Sequence, residues 1–178
     1  MISRQKILQK ENAQTLKLPM DQLHFLQQCA GFESKVASLY HHFSDLFADD
    51  ESLSMLFKKT AVEEENHAQQ FHLAIRLQGT GMEAVKIDVT KASANLKKLE
   101  EIVERLTGST PFPEDALDLA IRLEEQVALL HMSNVVHFQD AGLKQLFEAM
   151  MAHDNGHVTM LKDYREVIRM GKSTMEFC

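Results

Sequence analysis

Four stretches of this chain repeat apolar residues at alternating steps of three and four, the spacing that keeps side chains on one face of an α-helix. The first, about 20–47, carries the seam Leu26, Ala30, Glu33, Ala37, Tyr40, Ser44 and Phe47. The second, about 51–78, carries Leu53, Phe57, Thr60, Glu64, His67, Phe71 and Ala74. In the third, about 114–138, the seam is Leu117, Ile121 (or Ala120), Glu124, Ala128 (or Val127), His131, Val135 and Phe138. The fourth, about 141–170, is the most regular: Leu143, Phe147, Met150, Asp154, His157, Leu161, Tyr164 and Ile168.

The connections have their own signals. Leu18-Pro19-Met20-Asp21 reads as a helix entry, with proline in the first turn and an acid near the positive end of the helix dipole. The acidic turn Ala48–Ser52 is short enough to make the first two helices antiparallel neighbours, and its Asp residues can cap the second. Gly79-Thr80-Gly81 and Gly171 are natural helix stops. Residues 80–112 are too many for a turn; Val85–Val89 looks extended, and Thr90–Leu106 is an amphipathic helix with Leu96, Leu99, Ile102, Val103 and Leu106 on one side. This segment reads as a crossover from one end of a bundle to the other. The expected architecture is an all-α, antiparallel four-helix bundle over residues 20–172, with an extra helix in the crossover, an N-terminal arm at 1–19 and a tail at 173–178.

The seams are apolar above and below but polar at their centres. Glu33 is followed seven residues later by Tyr40 and 31 later by Glu64-x-x-His67; Glu124 is followed seven later by His131 and 30 later by Asp154-x-x-His157. Two other pairings compete with Glu64, since Glu63 lies four residues before His67 and Glu65 lies on the flank; Glu64 alone falls squarely on the seam. At ~1.5 Å rise per residue the two carboxylates of each half sit near mid-helix, so four helices of equal length bring all six groups to one level. Four ionised carboxylates in a core cost several kcal/mol each. Two divalent cations cancel those charges, and oxygen ligands with imidazole suit Fe, Mn and, less selectively, Zn or Co. The metal ligands expected are therefore Glu33, Glu64, His67, Glu124, Asp154 and His157. Tyr40 and His131 are either core residues or hydrogen-bonding groups beside the metals.

Composition narrows the setting. Of 178 residues 7 are Gly and 3 Pro, as in an all-helical protein. A net charge of −7 with no basic cluster argues against nucleic acid as a partner. Cys29 and Cys178 are too few for a disulfide framework or a thiolate metal site, and Cys29 reads as a small core residue. No apolar run is long enough for a membrane span, and Met1–Lys17 lacks the apolar segment of a secretory signal, so a cytoplasmic setting is expected.

One Glu, then Glu-x-x-His, repeated with a long crossover between, resembles the ferritin-like di-iron carboxylate proteins. Glu33 to Tyr40 and Ala61 to Phe71 look most like the first two helices of rubrerythrins, and the resemblance spans roughly 22–168. It implies a ferritin-like bundle holding two Fe ions (Mn or Zn possible) and redox chemistry with peroxide or O₂, in which Tyr40 or His131 delivers a proton. The alternatives are ferritin-like iron binding, ferroxidase activity or storage, or a non-catalytic metal-stabilised bundle. Asp154 stands where the family has Glu and reaches one methylene less far. The further carboxylate that rubrerythrins carry on the third helix has no match, since Ile121 and Val127 flank Glu124. With no Cys-x-x-Cys pair the rubredoxin module is missing, which implies an external electron donor such as a rubredoxin-like protein; a homodimer is the expected assembly.

Overall fold

Every seam residue expected in the first two stretches is buried, from Leu26 to Phe47 and from Leu53 to Ala74. The computed structural model of the chain describes residues 20–77, 89–133 and 141–175; the side chains of 22, 129–133, 143, 146, 154, 155 and 171–175 lie outside that description. Among the described residues there is no strand, and the regular structure is five α-helices: α1 (Met20–Leu46), α2 (Glu51–Arg76), α3 (Val89–Thr107), α4 (Pro113–Ser133) and α5 (Ala141–Met175). None of these helices is long and apolar enough to cross a membrane.

A tight turn joins α1 to α2. Asp50 N–H donates to Phe47 O (2.9 Å), and Asp50 Oδ1 then accepts the N–H of Leu53 at 3.0 Å. That caps one of the donors a helix start leaves unpaired, a contact worth ~1 kcal/mol. The two helices run antiparallel, with Ser44 against Ser54 (3.1 Å between hydroxyls), Phe43 against Phe57 and His41 against Glu65 (3.0 Å). Tyr40, Phe43 and Phe47 all pack their rings on Phe57, which is fully buried. Burying a side chain of that size stabilises by ~1.5–3 kcal/mol, so this cluster anchors the turn end of the pair.

The remaining directions follow from side-chain pairs. Gln28 accepts from Ser93 at 2.7 Å and Lys35 pairs with Glu100 at 3.2 Å, both 65 residues apart, so α3 lies on α1 and runs the same way. Arg165 pairs with Asp118 at 2.5 Å and Lys162 with Glu125 at 2.7 Å, so α5 is antiparallel to α4. Phe71 stacks edge-on with Phe147 and Lys59 reaches Met160, so α5 is antiparallel to α2 as well. One continuous core results, drawing Leu39 from α1, Phe57 from α2, Leu96 from α3, Leu117 from α4 and Leu161 from α5.

Two boundaries differ from the sequence reading. The last helix passes Gly171 and continues to Met175. A lone helical glycine costs only ~1 kcal/mol relative to alanine and ends a helix only where the chain adopts a left-handed turn. Val89, expected as the end of an extended segment, is the first residue of α3. The 1–19 arm, the Gly79–Gly81 stop, residues 85–88 of the extended segment, Val135 and Phe138 of the third seam and the last three residues of the tail lie outside the described residues.

Candidate metal centre

Three carboxylates and two imidazoles meet in the core. Glu33 stands thirteen residues before the end of α1 at Leu46, and Glu64 thirteen after the start of α2 at Glu51, so the antiparallel pairing sets them level. Glu124 comes from α4 and His157 from α5, while His67 lies one turn beyond Glu64 on α2. All five are at most 1% exposed. A buried carboxylate persists only where partners replace its lost hydration.

The ligand atoms form two groups that share a member. One oxygen or nitrogen from each of Glu33, Glu64 and His67 lies within 4.8 Å of the other two, and the same holds for Glu64, Glu124 and His157. The two oxygens of Glu64 are divided between them. Oε2 accepts from His67 Nδ1 at 3.0 Å, and Oε1 lies 2.9 Å from His157 Nδ1. The second contact is not aligned as a hydrogen bond, so Oε1 is a fully buried acceptor lacking a directed donor. His157 Nδ1 is also 3.4 Å from Glu124 Oε2, and the Tyr40 hydroxyl donates to Glu124 Oε1 at 2.5 Å. The His67 and His157 rings are 5.8 Å apart and nearly parallel.

This donor set fits a pair of divalent cations. Each group offers two hard carboxylate oxygens or more and one imidazole, the mixture that suits Fe, Mn and Zn, and the Glu64 oxygen left without a directed donor faces the second group. Glu33 and His67 would hold one cation, Glu124 and His157 the other, with Glu64 supplying an oxygen to each.

The two acids that face His157 are driven in opposite directions. Burial tends to raise the Glu64 carboxyl, but contacts with His157 and His67 hold it below the ordinary carboxylate range. Glu124 moves the other way, because burial and the Glu64 charge outweigh its contacts with His157 and Tyr40. Burial opposes a charge on His157, yet Glu124 and Glu64 push it up to about 11. Burial and the neighbouring Glu124 charge hold the Tyr40 phenol well above its usual range. These groups form one buried ion cluster in which the carboxylates and His157 set one another's charge.

Five of the six ligands expected from the sequence converge here, together with Tyr40. Asp154 and His131 lie on α5 and α4, and their side chains are outside the described residues. Of the other histidines, His41 pairs with Glu65, His42 Nε2 donates to Ser109 O at 2.9 Å, and His153 is exposed with its ring 6.4 Å from His67.

Sequence reasoning weighed Glu63 only as a partner of His67 and set it aside for Glu64. The Glu63 carboxylate hydrogen-bonds His157 Nε2, on the ring edge opposite Nδ1. The same residue lines a surface cleft of about 480 Å³ with Asn66, Gln70, Arg76 and His153, so it connects solvent with the centre. Glu63 lies off the seam of its own helix. The signal that finds it is which flank of α2 faces α5, and periodicity within one helix does not contain that. Comparison with protein-family models, curated proteins and solved structures finds no match to this chain.

Proposed function

We propose that the chain is a ferritin-like di-iron carboxylate protein that reduces peroxide or O₂, in the manner of a rubrerythrin without its rubredoxin module. In this reading α1, α2, α4 and α5 are the four-helix bundle, and α3 is the crossover helix on its outer side. The antiparallel pairs α1–α2 and α4–α5, and the run of α3 alongside α1, support that assignment.

The observation that carries the proposal is the division of Glu64, one oxygen toward each imidazole, between two groups of buried ligands. A protein that needed only core stability has no use for such a cluster, since apolar replacement of buried ion pairs is often neutral or stabilising. Reducing hydrogen peroxide to two waters takes two electrons and two protons; a pair of ferrous ions supplies the electrons when bound, and an external donor restores them. The chain's own residues do the rest. Glu33, Glu64, Glu124 and the two histidines bind and space the cations. Tyr40, protonated at neutral pH, keeps Glu124 in place and holds a proton at its hydroxyl oxygen, close to the centre. The surrounding aromatic core excludes water on the α1–α2 side.

Metal analysis of purified protein, joined to peroxide consumption with a reductant, tests the proposal. The expected result is two iron per chain and turnover that His157→Ala abolishes with the helical fold intact. Turnover that survives both chelation and His157→Ala would discard the assignment.

A further inference from the structure

We infer that Glu63 is a positioning residue for the second cation: its carboxylate holds His157 by Nε2, so that Nδ1 is the nitrogen presented to the metal. The inference rests on the two-cation reading above and adds a residue to it.

A neutral imidazole has one N–H and one lone pair, and the partner at one nitrogen decides the role of the other. A carboxylate can only accept, so the Glu63 contact places the N–H on Nε2. A cation bound in the second group then takes the Nδ1 lone pair in place of a proton, since Nδ1 is the nitrogen that lies 2.9 Å from Glu64 Oε1 and 3.4 Å from Glu124 Oε2. A ring turned over by 180° would put Cδ2 where Nδ1 stood, facing the acids, and lose that match; the Glu63 contact opposes the turn.

Glu63 is itself held for this task. Its other oxygen lies 4.0 Å from Lys59 Nζ, one turn back on α2, and Lys59 also reaches Met160 Sδ at 3.8 Å on α5. Lysine thus bridges the two helices beside the contact. At 25% exposure against 1% for Glu64, Glu63 differs from the buried ligands. It stands on the cleft wall, behind the imidazole as seen from the centre. A carboxylate behind a ligating histidine fixes its orientation and raises its basicity, and losing such a partner typically weakens metal binding 10–100-fold.

Cobalt(II) titration of the metal-free wild type, Glu63→Ala and Glu63→Gln, followed by visible absorption and calorimetry, tests this. Wild type binds two equivalents. Glu63→Ala binds the first unchanged and the second about 10–100-fold more weakly. Glu63→Gln binds both close to wild type, because the amide oxygen accepts the same Nε2–H. Undiminished second-site affinity in Glu63→Ala overturns the inference. So does Glu63→Gln falling as far as Glu63→Ala, since charge or direct ligation would then be what matters. Failure of wild type to take up two equivalents overturns the two-cation reading and this inference with it, whereas the first two results leave that reading intact.

Discussion

Replacing Glu64 by glutamine separates a shared ligand from a merely buried acid. The amide has nearly the carboxylate's volume but offers one neutral oxygen where two charged ones stood, so it cannot serve both groups of three. A cation present at ~100 times its dissociation constant stabilises the folded state by about 2.7 kcal/mol, so two cations contribute about 5 kcal/mol. In a chain of 178 residues each kcal/mol moves the melting temperature by about 2–4 °C. Wild type should therefore melt about 10–20 °C higher with cation than with chelator. Glu33→Gln and Glu124→Gln, each damaging one group, should retain roughly half of that shift. Glu64→Gln should retain almost none. Thermal melts followed by circular dichroism, each variant compared with itself with and without manganese or ferrous iron under argon, cancel the effect of the substitution on the metal-free fold. A half-sized shift in Glu64→Gln would refute the sharing.

Other outcomes follow from the same geometry. Tyr40→Phe keeps the ring on Phe57 but strips Glu124 of its hydroxyl donor, and should cost about 1–3 kcal/mol in urea unfolding; an unchanged midpoint would remove Tyr40 from the network. His157 is raised in the folded, metal-free protein, so its contribution to stability is full below 6.5 and lost as pH climbs through about 11. Cation binding must displace that proton, so affinity should rise up to about tenfold per pH unit between pH 6 and 8, and calorimetry in buffers of different ionisation enthalpy should register proton release. Burial and the nearby Glu33 charge push the Cys29 thiol far up, so it should resist Ellman's reagent until the protein unfolds, as peptide mapping would show.

The heart of the centre was legible because the helices around it are simple. Along α1 and α2 each step of three or four lands on an apolar or small residue except at Glu33, Glu64 and His67, so the polar positions stand out against their own background. Equal distances from a short turn then place Glu33 and Glu64 level without any knowledge of tertiary structure. Glu63 was not legible, because its importance depends on where α5 lies and not on the period of α2. The end of α5 was misplaced for a local reason: Gly171 permits a stop but does not impose one. The Tyr40–Glu124 bond lies between these cases, since the seam offered Tyr40 as a core residue or a hydrogen-bonding group beside the metals and left its partner open.

Anomalous diffraction at the iron edge, from crystals grown with ferrous iron under argon, tests the central claim most directly. The account predicts two peaks about 3.5–4 Å apart, one beside Glu33 and His67 and one beside Glu124 and His157, with one oxygen of Glu64 directed at each. A single peak, or iron bound away from Glu64, would contradict it.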